Sequence, residues 1–140
     1  MIFVAHRGNI SGPNKEEENK PDYIQKALDL GYDVEIDVWA KDELWLGHDE
    51  PQYQVPLKFL FKNFNKLWIH CKNLEAVHLL GEFKVLNYFW HESDDFALTS
   101  KNFIWTYPGK RVSNKSVLVV DDARNYGGPP CFGLCSDYFL

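Results

Sequence analysis

An α/β fold built on a mostly parallel sheet is predicted by two features of this sequence. Short apolar runs rich in Val, Ile, Phe, Trp and Tyr recur along it, and each closes on polar residues. Helical stretches separate some of these runs, so the order reads β-α-β followed by further βα units. Runs apolar at successive positions mark strands buried on both faces, as in parallel sheets. The order itself implies α/β architecture with right-handed crossovers. A full eightfold barrel takes about 250 residues. This chain has 140. The expectation is a compact, trimmed TIM-type (β/α) barrel with mostly parallel strands, several short or missing outer helices, and one domain over residues 1–140.

The elements follow in order. "IFVAHR" is the first strand and ends in His6 and Arg7. Residues 21–30 form a helix, with Pro21 at its first position, Ile24, Ala27 and Leu28 on one stripe, and Gly31 just past its end. "YDVEIDVW" is the second strand, and "ELWLGHD" extends it as a hairpin arm. A short helix is expected over 56–64. "LWIHCK" is a strand ending in His70 and Lys72. Residues 73–80 form a helix capped by Asn73. "KVLNYFWH", "FIWTYPG", "SVLVVDD" and "CFGLCSD" are the remaining strands. "SDDFALTS" is assigned one or two helical turns. "PGKRVSNK" and "ARNYGGPP" read as loops.

Composition narrows the function classes. Hydrophobic residues are 45% and charged residues 25%, an ordinary globular balance. The formal net charge of −5 argues against nucleic-acid binding through bulk electrostatics, yet permits a local basic pocket for a phosphate ester. No apolar run approaches the ~18 residues of a spanning helix, and "MIFVAHRG" lacks the features of a signal peptide. The three cysteines show neither a disulfide framework nor a zinc-type spacing. Reduced thiols, a cytoplasmic location and no stable membrane insertion are therefore expected. The oligomeric state is left open.

The second strand raises the functional question. Asp33, Glu35 and Asp37 alternate with Val34, Ile36 and Val38, so the carboxylates share one face. Such alternation is ordinary for a solvated antiparallel sheet. Between strands buried on both faces it instead turns the carboxylates into a barrel mouth. Carboxylates grouped there need a cation or protons. Polar residues gather at the strand ends, the face where barrel active sites form. They form three clusters: His6 and Arg7, followed by Gly8, closing the first strand, then Glu35 and Asp37, then His48 and Asp49. His91, near Asp94 and Asp95, is a candidate rim group. Trp90, Trp105 and Tyr107 belong to the core or line a cleft.

Together His6-Arg7-Gly8, Glu18-Asn19, Glu35-Ile36-Asp37, His48-Asp49 and Lys72 resemble the glycerophosphodiester phosphodiesterase family and the related spider-venom phospholipase D toxins. The match is strongest over residues 1–50. "CSDYF" resembles the closing strand, which finishes near an acidic residue. The resemblance implies a metal-dependent phosphodiesterase acting on a glycerophosphodiester-like or lysophospholipid-like substrate. His6 and His48 would be its acid-base pair, and Glu35 and Asp37 would ligate one divalent metal ion. Lys72 would steady the phosphate with Arg7 beside it. Two positions depart from the pattern. The proline expected before Glu-Asn is absent, and His70 stands where an acidic third ligand is expected. An all-oxygen site takes Mg²⁺ or Ca²⁺, whereas an imidazole brings in Mn²⁺, Zn²⁺ and similar ions. His70 is thus a third metal ligand, a holder of metal-bound water, or a phosphate contact. The alternative reading is a non-catalytic minimal barrel that binds a phosphate ester or a metal. The paired histidines favour an enzyme, because binding alone needs no acid and base.

Overall fold

The first strand, β1 (Ile2–His6), lies between two parallel neighbours far apart in sequence, β2 (Asp33–Lys41) and β10 (Gly133–Ser136). The computed structural model describes residues 1–140 and gives an α/β protein with a mixed, mostly parallel sheet of ten strands and few helices. The remaining strands are β3 (Glu43–Leu46), β4 (Tyr53–Val55), β5 (Leu67–Cys71), β6 (Tyr88–Trp90), β7 (Phe96–Leu98), β8 (Ile104–Thr106) and β9 (Ser116–Val119). Parallel pairing runs β6-β5-β2-β1-β10-β9-β8. β7 adds to β8 antiparallel. The long strand β2 changes partner along its length. Val34–Val38 pair with β5, and Val38–Lys41 pair with β3, which carries β4 as a hairpin arm.

Three α-helices form where the sequence places them: α1 (Pro21–Asp29), α2 (Leu57–Lys62) and α3 (Leu74–Leu80). Pro21 opens α1, and Gly31 follows it at φ 97°, a left-handed angle that suits glycine. Asn73 caps α3 by accepting the Ala76 amide, and its side chain also bonds Ala40 N and O at the end of β2. One residue therefore ties the third helix to the site-bearing strand. Two expectations are corrected. "SDDFALTS" contains β7 rather than a helical turn, because Phe96–Leu98 finds a ladder against Ile104–Thr106. "ARNYGGPP" is not all loop: a 3₁₀ turn spans Ala123–Asn125, with Asp122 accepting the Arg124 amide.

The strand period of two divides the apolar residues into two clusters. Outward-facing Ala5, Val34, Ile36, Val38, Ile69 and Cys71 pack against Ile24, Ala27 and Leu28 of α1, Leu60 of α2, and Ala76 and Leu80 of α3. On the other face Val4, Trp68, Phe89, Ala97, Trp105, Val117 and Cys135, each from a different strand, form a second cluster. Trp68 and Phe89 meet Trp105 with ring centroids 6.1 and 4.8 Å apart. The site stands on this inner layer. Two residues beyond Val4, Trp68, Phe89, Trp105 and Cys135 come His6, His70, His91, Tyr107 and Asp137.

Candidate metal centre and its cavity

One cavity of about 370 Å³ is lined by His6, Arg7, Glu35, Asp37, His48, His70 and Lys72, together with His91, Glu92, Trp105, Tyr107 and Val119. All seven residues singled out in the sequence meet there. Sheet register explains the convergence. Parallel pairing sets His6 beside Glu35 and Asp37 beside His70, and neighbouring strands lie only ~4.8 Å apart. The third carboxylate of β2 does not join them. Asp33 lies at the other end of its strand, where it accepts a hydrogen bond from Trp68 Nε1 at 2.9 Å.

Glu35 and Asp37 are 3% and 1% exposed. Glu35, Asp37 and His70 each offer a ligand atom, and these atoms lie within 4.8 Å of one another, so the group can hold a metal ion. Glu35 Oε1 and Asp37 Oδ1 are buried without a hydrogen-bond partner. Leaving such atoms unmade is costly, and a cation bound between them would satisfy both. Burial, together with the charge of Asp37, pushes the Glu35 pKa upward. Burial acts against ionised Asp37 as well, but the adjacent His70 imidazole and the Arg7 and Asn19 contacts outweigh it and hold that carboxyl low.

The loop after β1 builds the support for this pair. Arg7 and Gly8 both take left-handed backbone angles, φ 56° and 92°. A Cβ on Gly8 would stand 2.7 Å from the Tyr23 ring, so only glycine suits that position. The turn aims Arg7 across the carboxylates, with Nη1 donating to Glu18 at 2.9 Å and Nε 3.2 Å from Asp37 Oδ2. Asn19 donates to Asp37 Oδ2 at 2.9 Å and accepts the Asp37 amide at 3.0 Å. Glu18-Asn19 therefore orients Arg7 and Asp37 from a loop. Arg7 serves first as their partner, while Lys72 faces the cavity with no ion-pair partner for its ammonium.

The two candidate acid-base groups differ in environment. His6 Nδ1 lies 2.9 Å from Asp137 Oδ1, and its Nε2 is 3.9 Å from Glu35 Oε1. Asn9 also donates to Asp137 at 2.9 Å, and Tyr23 fixes Asn9. Burial disfavours the imidazolium, but the Asp137 hydrogen bond and the Glu35 charge prevail and raise the His6 pKa. His48 sits after Gly47, where a Cβ would collide with the Glu50 carbonyl oxygen. Its Nδ1 is 2.7 Å from Asp49 Oδ1. Burial and the Arg7 charge lower its pKa.

In the sequence, Asp137 stands out only as the acidic end of the closing strand in "CSDYF". Its hydrogen bond to His6 spans 131 positions, so no local pattern signals it. Of the rim candidates, His91 stacks on Tyr107 at 4.0 Å, and both line the cavity. Trp105 is buried beneath it, whereas Trp90 is 36% exposed and does not line it. Glu92, rather than Asp94 or Asp95, is the acidic residue at the rim. No helix is long and apolar enough to cross a membrane. No protein-family model, curated protein or solved structure matches the chain.

Proposed function

We propose that this protein is a metal-dependent phosphodiesterase, a shortened member of the glycerophosphodiester phosphodiesterase family, with its sheet curled into a trimmed barrel. The observation that carries the reading is the single cavity shared by His6, Arg7, Glu35, Asp37, His48, His70 and Lys72. The barrel reading draws on the inner cluster, to which β1 and β5 through β10 each contribute a side chain. It also draws on the open seam. Ser100 bonds Tyr88 N and O and Leu86 O along the free edge of β6, bringing the chain that follows β7 against it.

The substrate is a glycerophosphodiester-like or lysophospholipid-like ester. Its phosphate is an anion that gathers charge on its non-bridging oxygens as a nucleophile attacks. Lys72 binds those oxygens as a free cation. Glu35, Asp37 and His70 would hold one divalent ion, which supplies further positive charge to the phosphate. His6 retains its proton more firmly than His48, so His6 donates to the leaving oxygen through Nε2 and His48 accepts from the nucleophile. Asp137 keeps Nδ1 of His6 occupied, which leaves Nε2 for this transfer.

Phosphorus NMR on a panel of phosphodiesters with added divalent metals tests the reading. A monoester product means hydrolysis, and a cyclic phosphate means attack by a substrate hydroxyl. Binding of a phosphodiester without turnover under any metal would instead support the non-catalytic barrel.

A further inference from the structure

We infer that the Glu35–Asp37–His70 group selects first-row transition dications, Mn²⁺ through Zn²⁺, over Mg²⁺ and Ca²⁺. The inference rests on the metal reading above and concerns which ion those three residues take. His70 presents Nδ1 to the carboxylates, 3.2 Å from Asp37 Oδ1 and 3.8 Å from Glu35 Oε2. Its other nitrogen, Nε2, lies 3.3 Å from the His91 carbonyl oxygen. A carbonyl only accepts, so Nε2 carries a hydrogen there, and Nδ1 is the nitrogen left to face an ion.

That is how metal-bound histidines are held: one nitrogen faces the ion and the other N–H is spent on a carbonyl or carboxylate. The ring cannot readily turn away, because it lies stacked on Phe89 with 5.1 Å between centroids and 9° between planes. An imidazole nitrogen turned to two buried carboxylates, each with an unpartnered oxygen, makes a ready three-donor seat for a cation.

The donor set then decides the ion. Ca²⁺ takes six to eight oxygen ligands and Mg²⁺ strongly prefers oxygen, whereas imidazole suits transition ions. Beyond Glu35 and Asp37 the cavity wall adds imidazoles and cations, His6, His48, His91, Arg7 and Lys72, and only Glu92 and Tyr107 as further side-chain oxygens. Few protein oxygens remain to complete a Ca²⁺ shell.

The test is calorimetric titration of the full chain, stripped with a chelator, using CoCl₂, MnCl₂, MgCl₂ and CaCl₂. Co²⁺ and Mn²⁺ should bind at least about tenfold more tightly than Mg²⁺ or Ca²⁺. His70→Asp should remove most of that preference. So should His70→Asn, which guards against a folding defect in the first variant. In nitrogen NMR of the histidine rings, added Zn²⁺ should shift Nδ1 of His70 while Nε2 stays protonated. Equal affinities for Co²⁺ and Mg²⁺, or a preference that survives both variants, would overturn the inference. Phosphodiester turnover with Mg²⁺ would still stand in that case. Binding of no ion at all would overturn the inference together with the metal reading.

Discussion

Under the proposed function His6 carries the largest catalytic expectation, because its Nδ1 is tied to Asp137 while its Nε2 makes no hydrogen bond and lies 3.9 Å from Glu35 Oε1. General acid-base groups contribute typically ~10²–10⁴-fold, so His6→Ala and His48→Ala should each lower kcat by about that factor in a phosphorus NMR rate assay. The double variant should lose far less than the product of the two, since the pair acts as a unit. Full activity in both single variants would move the chemistry elsewhere in the cavity. Asp137→Asn makes a finer prediction. The Asp137 charge and hydrogen bond help hold the His6 pKa up against burial. Without the charge His6 should lose its proton at lower pH, and the alkaline limb of the pH–rate profile should move to lower pH. An unmoved limb would show that Asp137 does not tune His6.

At the scale of the element, two local devices keep the strand ends aimed. The Arg7–Gly8 turn is one, and Gly8→Ala should cost about 1–3 kcal/mol in urea unfolding, because its φ is 92° and Tyr23 closes the space. The second is Asn73, whose amide caps α3 and clamps Ala40 of β2. Asn73→Ala should lose about 1–2 kcal/mol, with metal affinity nearly unchanged if the clamp serves the element alone. Both devices stood out in the sequence, as Gly in "HRGN" and as Asn just before an apolar helix. β7 did not. Three residues with a weak apolar pattern become a strand only because β8 offers them a ladder, and tertiary pairing of this kind overrides local propensity.

Across the whole molecule, the buried carboxylates should couple stability to pH and to an added divalent ion. In metal-stripped protein Glu35 has a raised pKa, set by burial first and then by Asp37. Above the ordinary glutamate range the unfolded chain has lost a proton that the folded chain still holds. Stability therefore falls as pH rises through the window up to the raised value. Thermal melts of the stripped wild type should show this fall relative to Glu35→Gln, which has no such group. Parallel pH curves for the two proteins would reject it. An added divalent ion should raise the wild-type Tm, increasingly so at higher pH, because a ligand bound only by the folded state stabilises it and must displace protons to bind. Glu35→Ala should abolish the gain.

Alternation in "VEIDV", polar residues closing apolar runs, Pro21 and Gly31 around α1, and Asn73 before α3 are local signals. Periods of two and 3.6, together with cap chemistry, act over a few residues and can be read without knowing what packs where. By itself the sequence thus determined the α/β class, the helices, and the seven polar residues that share the cavity. Tertiary structure alone decided the rest. Register set His6 beside Glu35 and Asp37 beside His70. It also left Asp33 at the far end of its strand, although all three carboxylates alternate identically in sequence. Parallel pairing of β10 with β1 and of β6 with β5 brought Asp137 to His6 and the His91 carbonyl to His70. These contacts join residues widely separated along the chain, and no local pattern can encode a distance that only folding creates.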